Sequence, residues 1–266
     1  MKVPNIIYED NDVIVCYKPS GMATQTRRIG QQDMESFIRN YRAAKKEPPY
    51  VGVVHRLDQP VEGVMVFAKN QKAAASLSRQ IKEHTTEKYY RAASRGQGVS
   101  GAAVEDEEES SQDKSAYASK VPGDDKKEDN HDQAWHTLTD YISFDKRTNT
   151  SKITSEKDRL AKKAVLQYRV ISVTPDRDSS QNECIRTEFD IKLLTGRHHQ
   201  IRLQLANIGY PLIGDIKYGK PALNNSGTGS KSGCTGGGVR EQLALCSYKI
   251  VFDHPATGER MTFELP

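Results

Sequence analysis

Val51-Gly52-Val53-Val54-His55-Arg56-Leu57-Asp58-Gln59-Pro60-Val61-Glu62-Gly63-Val64-Met65-Val66-Phe67-Ala68 is two apolar runs separated by a polar loop. Apolar, β-branched runs of this length read as strands. The loop that carries Asp58 is therefore anchored by rigid backbone at both ends. Loops held in this way are where a scaffold presents reactive groups. An Asp beside a Pro is also ordinary turn chemistry. What gives this one weight is a second polar island downstream, Thr195-Gly196-Arg197-His198-His199-Gln200-Ile201-Arg202.

Working outward, Ile6–Tyr8 and Val13–Tyr17 read as a hairpin across the polar turn Glu9-Asp10-Asn11-Asp12. Asp33 is a helix cap, opening a helix to about Ala44 with Phe37, Ile38 and Tyr41 on one face. Asn70 caps a second helix over 71–83, with Ala74, Leu77 and Ile81 facing inward. Lys88–Ala93, Ala164–Val173, Ile185–Leu194, Gln242–Phe252 and Arg260–Leu265 are further strands. A short helix over Gln200–Ile208 stops at Gly209. Strands outnumber helices and hairpins are evident, so the expectation is an α+β domain on a largely antiparallel sheet.

The chain has 266 residues, 36% of them apolar, and a mean hydropathy of −0.72. Much of the apolar deficit sits in residues 100–133. Eleven acidic residues there face four lysines, a net −7. The whole chain carries +4, so the remainder carries +11. A basic body suits a polyanionic partner, because neutralised phosphates release counterions. Residues 97–133 hold too little apolar surface to offset ordering entropy and are expected to be disordered. Residues 224–238 read as a flexible Gly/Ser-rich loop. The four cysteines form no CxxC pair, which points to a reducing, cytoplasmic setting and away from zinc or a disulfide framework. No run is long enough for a membrane helix. Met1-Lys2-Val3-Pro4 leads straight into a strand pattern, so no signal or transit peptide is expected.

His-Arg-Leu-Asp followed by Gly63 and Val66-Phe67-Ala68-Lys69 is the first of several islands. Lys88-Tyr89-Tyr90-Arg91-Ala92, Thr-Gly-Arg-x-His-Gln-Ile-Arg, Gly214-Asp215 and Tyr218-Gly219 come after it, in that order. In series they resemble the RluA-type pseudouridine synthases, and matching pieces run from Tyr8-Glu9-Asp10 to Phe252-Asp253-His254-Pro255. The resemblance implies one catalytic domain with a long curved mixed sheet and a central cleft. It also implies isomerisation of uridine in rRNA or tRNA to pseudouridine. No cofactor and no metal are expected, nor an S4-type module, and the protein is expected to be a monomer.

The resemblance assigns Asp58 as nucleophile, Arg197 as its ion-pair partner, and Tyr90 as the aromatic that stacks on the extruded uracil. A carboxylate that splits one hard step into two suits this reaction, and a neighbouring arginine keeps such a group ionised. Because strand neighbours point to opposite faces, only one of Tyr89 and Tyr90 can line the pocket. Arg56 matches the arginine that fills the gap left by the flipped nucleotide, where a planar guanidinium can stack. His55, Lys88, Arg202 and Lys18 complete the candidate RNA-facing set, with His55 also suited to a structural hydrogen bond, Arg202 to the interior, and Lys18 and Lys88 to loop contacts. The chain departs from the family pattern at Pro60-Val61-Glu62, at His198 in place of Thr or Ser, and at Leu245-Cys246 in place of a His-Ala pair.

Two other readings compete. A metal-dependent phosphoesterase could draw ligands from His55, Asp58, His198 and His199, although adjacent histidines splay apart on a helix and metal pairs prefer i,i+4. A catalytically silent RNA-binding module would have no need of Asp58, Tyr90 and Arg197 together.

Overall fold

The computed structural model describes residues 4–26, 28, 30–96, 134–177, 183–219 and 241–266. The segments read above as disordered (97–133) and as a Gly/Ser-rich loop (224–238) lie outside the described residues. In chain order the elements are β1 (Asn5–Glu9), β2 (Val13–Lys18), α1 (Met34–Ala44), β3 (Gly52–Val53), β4 (Glu62–Ala68), α2 (Gln71–Lys82), β5 (Glu87–Gly96), β6 (His136–Asp145), β7 (Thr150–Thr154), β8 (Lys162–Arg177), β9 (Glu183–Leu193), α3 (Gln200–Asn207), β10 (Leu245–Asp253) and β11 (Arg260–Glu264). All the strands join one mixed sheet in the order β1-β2-β4-β10-β5-β9-β8-β6-β7, with β3 on β4 and β11 on β10. The pairing of β10 with β4 is parallel; the other strand pairings are antiparallel. The expected α+β architecture on a mostly antiparallel sheet is what the chain adopts.

The alternation of β2 shows how the layers form. Ile14 and Cys16 face one side, packed with Met34 and Ile38 of α1, Ile201 and Leu205 of α3, and Met65, Phe67, Phe189 and Tyr90. Val13 and Val15 face the other, with Ala73 and Leu77 of α2 and Val64, Val66, Ile250 and Phe252. Strands covered on both faces carry continuous apolar runs, which is why β2 and β4 read so clearly. Asp33 caps α1 by accepting the Ser36 N–H, and Asn70 caps α2 by accepting that of Ala73. The buried stripe of α2 is Ala73, Leu77 and Gln80; of the expected set Leu77 is in it, Ala74 is half-buried against the same core, and Gln80 takes the place given to Ile81. The rotation is set by Gln80, whose amide bonds both the carbonyl and the N–H of Asp253 on β10, at 2.8 and 2.9 Å.

Gly63 explains the parallel contact. Its φ is +139°, and a Cβ there would come within 2.3 Å of the Ser247 carbonyl oxygen. Only a glycine lets β4 and β10 lie this close. Ser247 in turn sits opposite Tyr90 of β5, so this approach sets the spacing between the strand after Asp58 and the strand that carries Tyr90. The hairpin β6–β7 was not foreseen from sequence. Ile142 of β6 and Ala164 of β8 pack on Leu203 of α3, with Ile153 of β7 and Tyr218 against them, so the hairpin walls one side of α3.

Candidate active site

The Asp58 loop, between β3 and β4, is tied down by residues 18–24. Thr24 Oγ1 donates to the Leu57 carbonyl at 2.9 Å and accepts the Leu57 N–H at 3.1 Å. Ser20 donates to the Pro60 carbonyl, and Gly21 and Gln59 exchange two hydrogen bonds. Lys18 is completely buried. Its ammonium donates to the carbonyls of Pro19, Met22 and Gln59 at 3.1, 2.6 and 3.2 Å. Burial lowers its pKa to about 8, against the opposing pull of Asp58 and Glu62. Of the two roles open to Lys18, an RNA contact or a loop contact, this geometry favours the second: its three donors hold the loop from inside.

The arginine beside Asp58 is Arg202, not Arg197. Arg202 Nη1 lies 3.6 Å from Asp58 Oδ2. Its Nε and Nη2 donate to the two carboxylate oxygens of Asp215, both at 2.7 Å. Arg202 and Asp215 are buried, whereas the Asp58 side chain stays 31% exposed. Burial would raise Asp215, but the Arg202 guanidinium outweighs it and holds the carboxyl low. Of the two placements open to Arg202, towards RNA or into the interior, the structure has the interior. Arg197 sits in the turn before α3; its Nε donates to the Lys163 carbonyl at 2.8 Å and its N–H to Gln200 Oε1 at 3.0 Å. That turn aims the side chain at β8, and the register of α3 aims Arg202 at the loop.

His199 Nε2 reaches the same Asp58 Oδ2, also at 3.6 Å. His198 and His199 precede α3, and their rings lie against each other, centroids 3.7 Å apart and tilted by 33°, instead of splaying. Burial, then Arg202 and His198, lower the His199 pKa to about 3. Burial also lowers that of His198.

Tyr90 is buried in the core on the α1 and α3 side, and burial raises its pKa, with the charge of Asp58 adding to it. Tyr89 points the other way, its hydroxyl donating to Glu87 at 2.6 Å. His55 Nε2 accepts the Val66 N–H at 3.1 Å. Burial and the nearby Lys88 charge lower its pKa to about 3, so this imidazole is a neutral strut in the loop and not an RNA contact. Lys88 is half-buried, its pKa lowered by burial. Its ammonium lies beside the Gly196 backbone, 3.7 Å from where a Cβ would stand. Arg56 is exposed, close enough for its charge to lower His198. Sequence reasoning gave no role to Thr24, Asp215 or Tyr218, and considered His199 only as a candidate metal ligand. The Gly214-Asp215 and Tyr218-Gly219 islands were the available signal.

His55, Asp58, His198 and His199 do not converge as metal ligands. Among the described residues the group that comes closest to a ligand set is Asp10, Asp12 and His254, with ligand atoms within 4.8 Å of one another. Asp10 there already accepts from the Asp12 and Val13 N–H groups, from the Tyr8 hydroxyl and from His254. A hollow of about 550 Å³ bordered by Glu62, Arg91, Arg186, Glu188 and Gln242 excludes Asp58. The chemistry is marked by the titratable cluster, not by the volume.

Residues 12–207 match the family described as RNA pseudouridylate synthase. The chain belongs to this family. Among pseudouridine synthases, it is 29% identical over 263 residues to ribosomal large subunit pseudouridine synthase D of Neisseria meningitidis serogroup B, covering 98% of this chain and 58% of that protein. It is 26% identical to tRNA pseudouridine synthase C of Yersinia pestis, over 97% of this chain and 84% of that protein. The chain thus spans 58% of the length of the first of these relatives. In fold it matches human RNA Pseudouridylate Synthase Domain Containing 1, with a TM-score of 0.62 at 19% identity, covering 99% of this chain and 83% of that one. Asp58, Tyr90 and Arg202 all lie inside the span matched to the pseudouridylate synthase family; Asp215 and Tyr218 lie just beyond it.

Proposed function

We propose that this protein isomerises uridines in structured RNA, rRNA or tRNA, to pseudouridine, with Asp58 as the nucleophile acting on a flipped-out base. The observation that carries the reading is the part-exposed Asp58 carboxylate facing a buried arginine that is itself braced by Asp215. The reaction breaks N1–C1′ and forms C5–C1′. The proton lost from C5 is balanced by one gained at N1, so no oxidant, reductant or group donor enters. What the protein must supply is a carboxylate that takes up one fragment, a positive group that keeps it ionised, and access to a base taken out of its stack. Arg202 serves as the positive group. Tyr90 offers its ring to the uracil; base–aromatic stacking is worth about 1–3 kcal/mol. Arg56, exposed at the rim, takes the vacancy in the RNA stack.

RNA as partner is supported by charge next to the site. Residues 146–163 carry Lys146, Arg147, Lys152, Lys157, Arg159, Lys162 and Lys163 against Glu156 and Asp158. Ser151 of the same hairpin bonds His198. Among the described residues no helix is long and apolar enough to cross a membrane. The reading is a cytoplasmic enzyme acting as a monomer without cofactor. The test is pseudouridine mapping of total RNA treated with wild-type protein or with Asp58→Asn. Sites that appear with wild type alone support the reading; turnover by Asp58→Asn on the same RNA rejects the nucleophile.

A further inference from the structure

We propose that His199 is a positioning residue: a neutral imidazole, protonated on Nε2, that donates to Asp58 as the second partner beside Arg202. The inference rests on Asp58 being the reacting carboxylate.

The tautomer follows from counting hydrogens. The Ser151 N–H donates to the Tyr218 hydroxyl oxygen at 2.8 Å. That hydroxyl lies 2.9 Å from His199 Nδ1. The hydroxyl neighbours both the Ser151 side chain and His199 Nδ1; with Ser151 Oγ engaged by His198, the tautomer proposed gives its one hydrogen to Nδ1, and burial keeps Tyr218 a neutral phenol. His199 Nδ1 is then an acceptor, and a neutral ring carries its proton on Nε2, the atom that faces Asp58. His198 takes the other tautomer. Ser151 Oγ donates to the His198 carbonyl at 2.8 Å, so it accepts from His198 Nδ1 at 3.0 Å. One residue of the β6–β7 hairpin thereby sets the protons of both histidines.

Three further observations fit the role. His199 sits at φ 54°, ψ 25°. That left-handed backbone costs a non-glycine residue about 1 kcal/mol and is retained where the surroundings over-determine it. The ring is sandwiched between His198 and the edge of Tyr218, so its direction is fixed. Burial, with the Arg202 and Lys217 charges beside it, outweighs the pull of Asp215 and keeps the ring neutral, with the Asp58 carboxylate as the acceptor it faces at 3.6 Å. Arg202 meanwhile spends two of its nitrogens on Asp215. A neutral donor adds a second hydrogen bond to Oδ2 without a second cation that would hold the carboxylate back from its substrate. At 3.6 Å the contact is longer than a hydrogen bond; catalytic hydrogen bonds in unliganded sites tighten when substrate arrives.

The experiment combines ¹⁵N imidazole shifts of the folded protein with steady-state kinetics. The shifts should show His199 neutral between pH 5 and 8 with its proton on Nε2, and Tyr218→Phe should release it to a mixture of tautomers. His199→Leu should lose about 10- to 100-fold in kcat with KM unchanged, the range for one hydrogen bond to a charged group. His199→Gln, which keeps an N–H donor near the Nε2 position, should recover most of it. A proton on Nδ1, a wild-type kcat in His199→Leu, or a folded His199→Gln no better than His199→Leu each overturns the proposal. The ¹⁵N reading does not depend on turnover. An inactive wild-type protein would thus reject the proposed function while the tautomer still decides the contact.

Discussion

Nη1 of Arg202 stands 3.6 Å from Oδ2 of Asp58, with no comparable contact from Arg197. Arg202→Lys keeps a charge but loses the two-pronged grip on Asp215. It is expected to lower kcat by 100-fold or more, on the order of 3 kcal/mol, and to lower the melting temperature. Arg197→Met should retain most of the rate, because its guanidinium serves the Lys163 carbonyl. Single-turnover rates with both variants decide between the two arginines; the opposite ordering would restore Arg197.

Lys18→Met removes the donor to three carbonyls inside the fold. Unsatisfied buried acceptors cost about 1–3 kcal/mol each, and the Gln59 carbonyl, which keeps only the Gly21 N–H, adjoins Asp58. The expected result is reduced stability in urea and reduced kcat, with the salt dependence of RNA binding unchanged. A flatter salt slope would mean that the lysine meets phosphate after all.

Glu9 is the centre of an ionic cluster under α1. It accepts from Lys45, Lys69 and Tyr41 at 2.7 to 2.8 Å, and Lys69 also meets Glu47 at 3.0 Å. Burial works to raise the Glu9 pKa, but the two lysines and the tyrosine prevail and hold it at about 2. A depressed carboxylate stabilises the fold above its unfolded pKa, near 4.5, and that share is lost as pH falls from there towards 2. Glu9→Gln should therefore destabilise the protein by about 1–3 kcal/mol at pH 7, and by much less at pH 2.5. Denaturation at both pH values checks it; an equal loss at both would show that packing, not charge, is responsible.

Gly63→Ala should be the most damaging conservative change in the loop region. The added methyl meets backbone, the Ser247 carbonyl, which cannot turn aside as a side chain could. Loss of the β4–β10 pairing would lower both stability and turnover. Gly21→Ala, with open space around it but a φ of +86°, should cost only the backbone strain of about 1 kcal/mol. Melting temperatures of the two variants, compared side by side, test whether it is crowding that matters.

Much of the fold was legible because its signals are local. Asp33 and Asn70 cap the helices that they announced, and the alternation of β2 is written in its residues. The hairpin β6–β7 lies near one end of the sheet and is mainly Thr, Ser, Asp and Lys; Leu138, Ile142 and Phe144 of β6 do alternate, but Asp140 interrupts them and β7 adds only Ile153, so the pattern was missed. At the site, the Asp58 loop and the Thr195–Arg202 island could be picked out, but not the choice between their arginines. That choice depends on α3 starting at Gln200, which turns Arg202 back towards the loop, and on Asp215 arriving from a later segment to hold it. The role of His199 was hidden for the same reason, since its tautomer is set by Ser151 and Tyr218 from outside the motif.

The strand order has a consequence for how the protein comes into being. Asp58 belongs to the half of the sheet made by β1, β2 and β4, Tyr90 to the half made by β5, β9, β8, β6 and β7, and β10 is the strand that lies between them. Ser247 on β10 bonds Val64 across 183 positions of chain. While a ribosome is still making the protein, the two halves have no shared ladder, and β4 and β5 each present a bare edge. Contacts this distant in sequence form late, and exposed edges in the interval invite association with other chains. A nascent polypeptide stopped short of β10 would hold every residue of the proposed Asp58, Tyr90, Arg202 set and yet lack the ladder between β4 and β5. The ladder that joins the two halves therefore waits on β10, the last but one of the described strands in chain order.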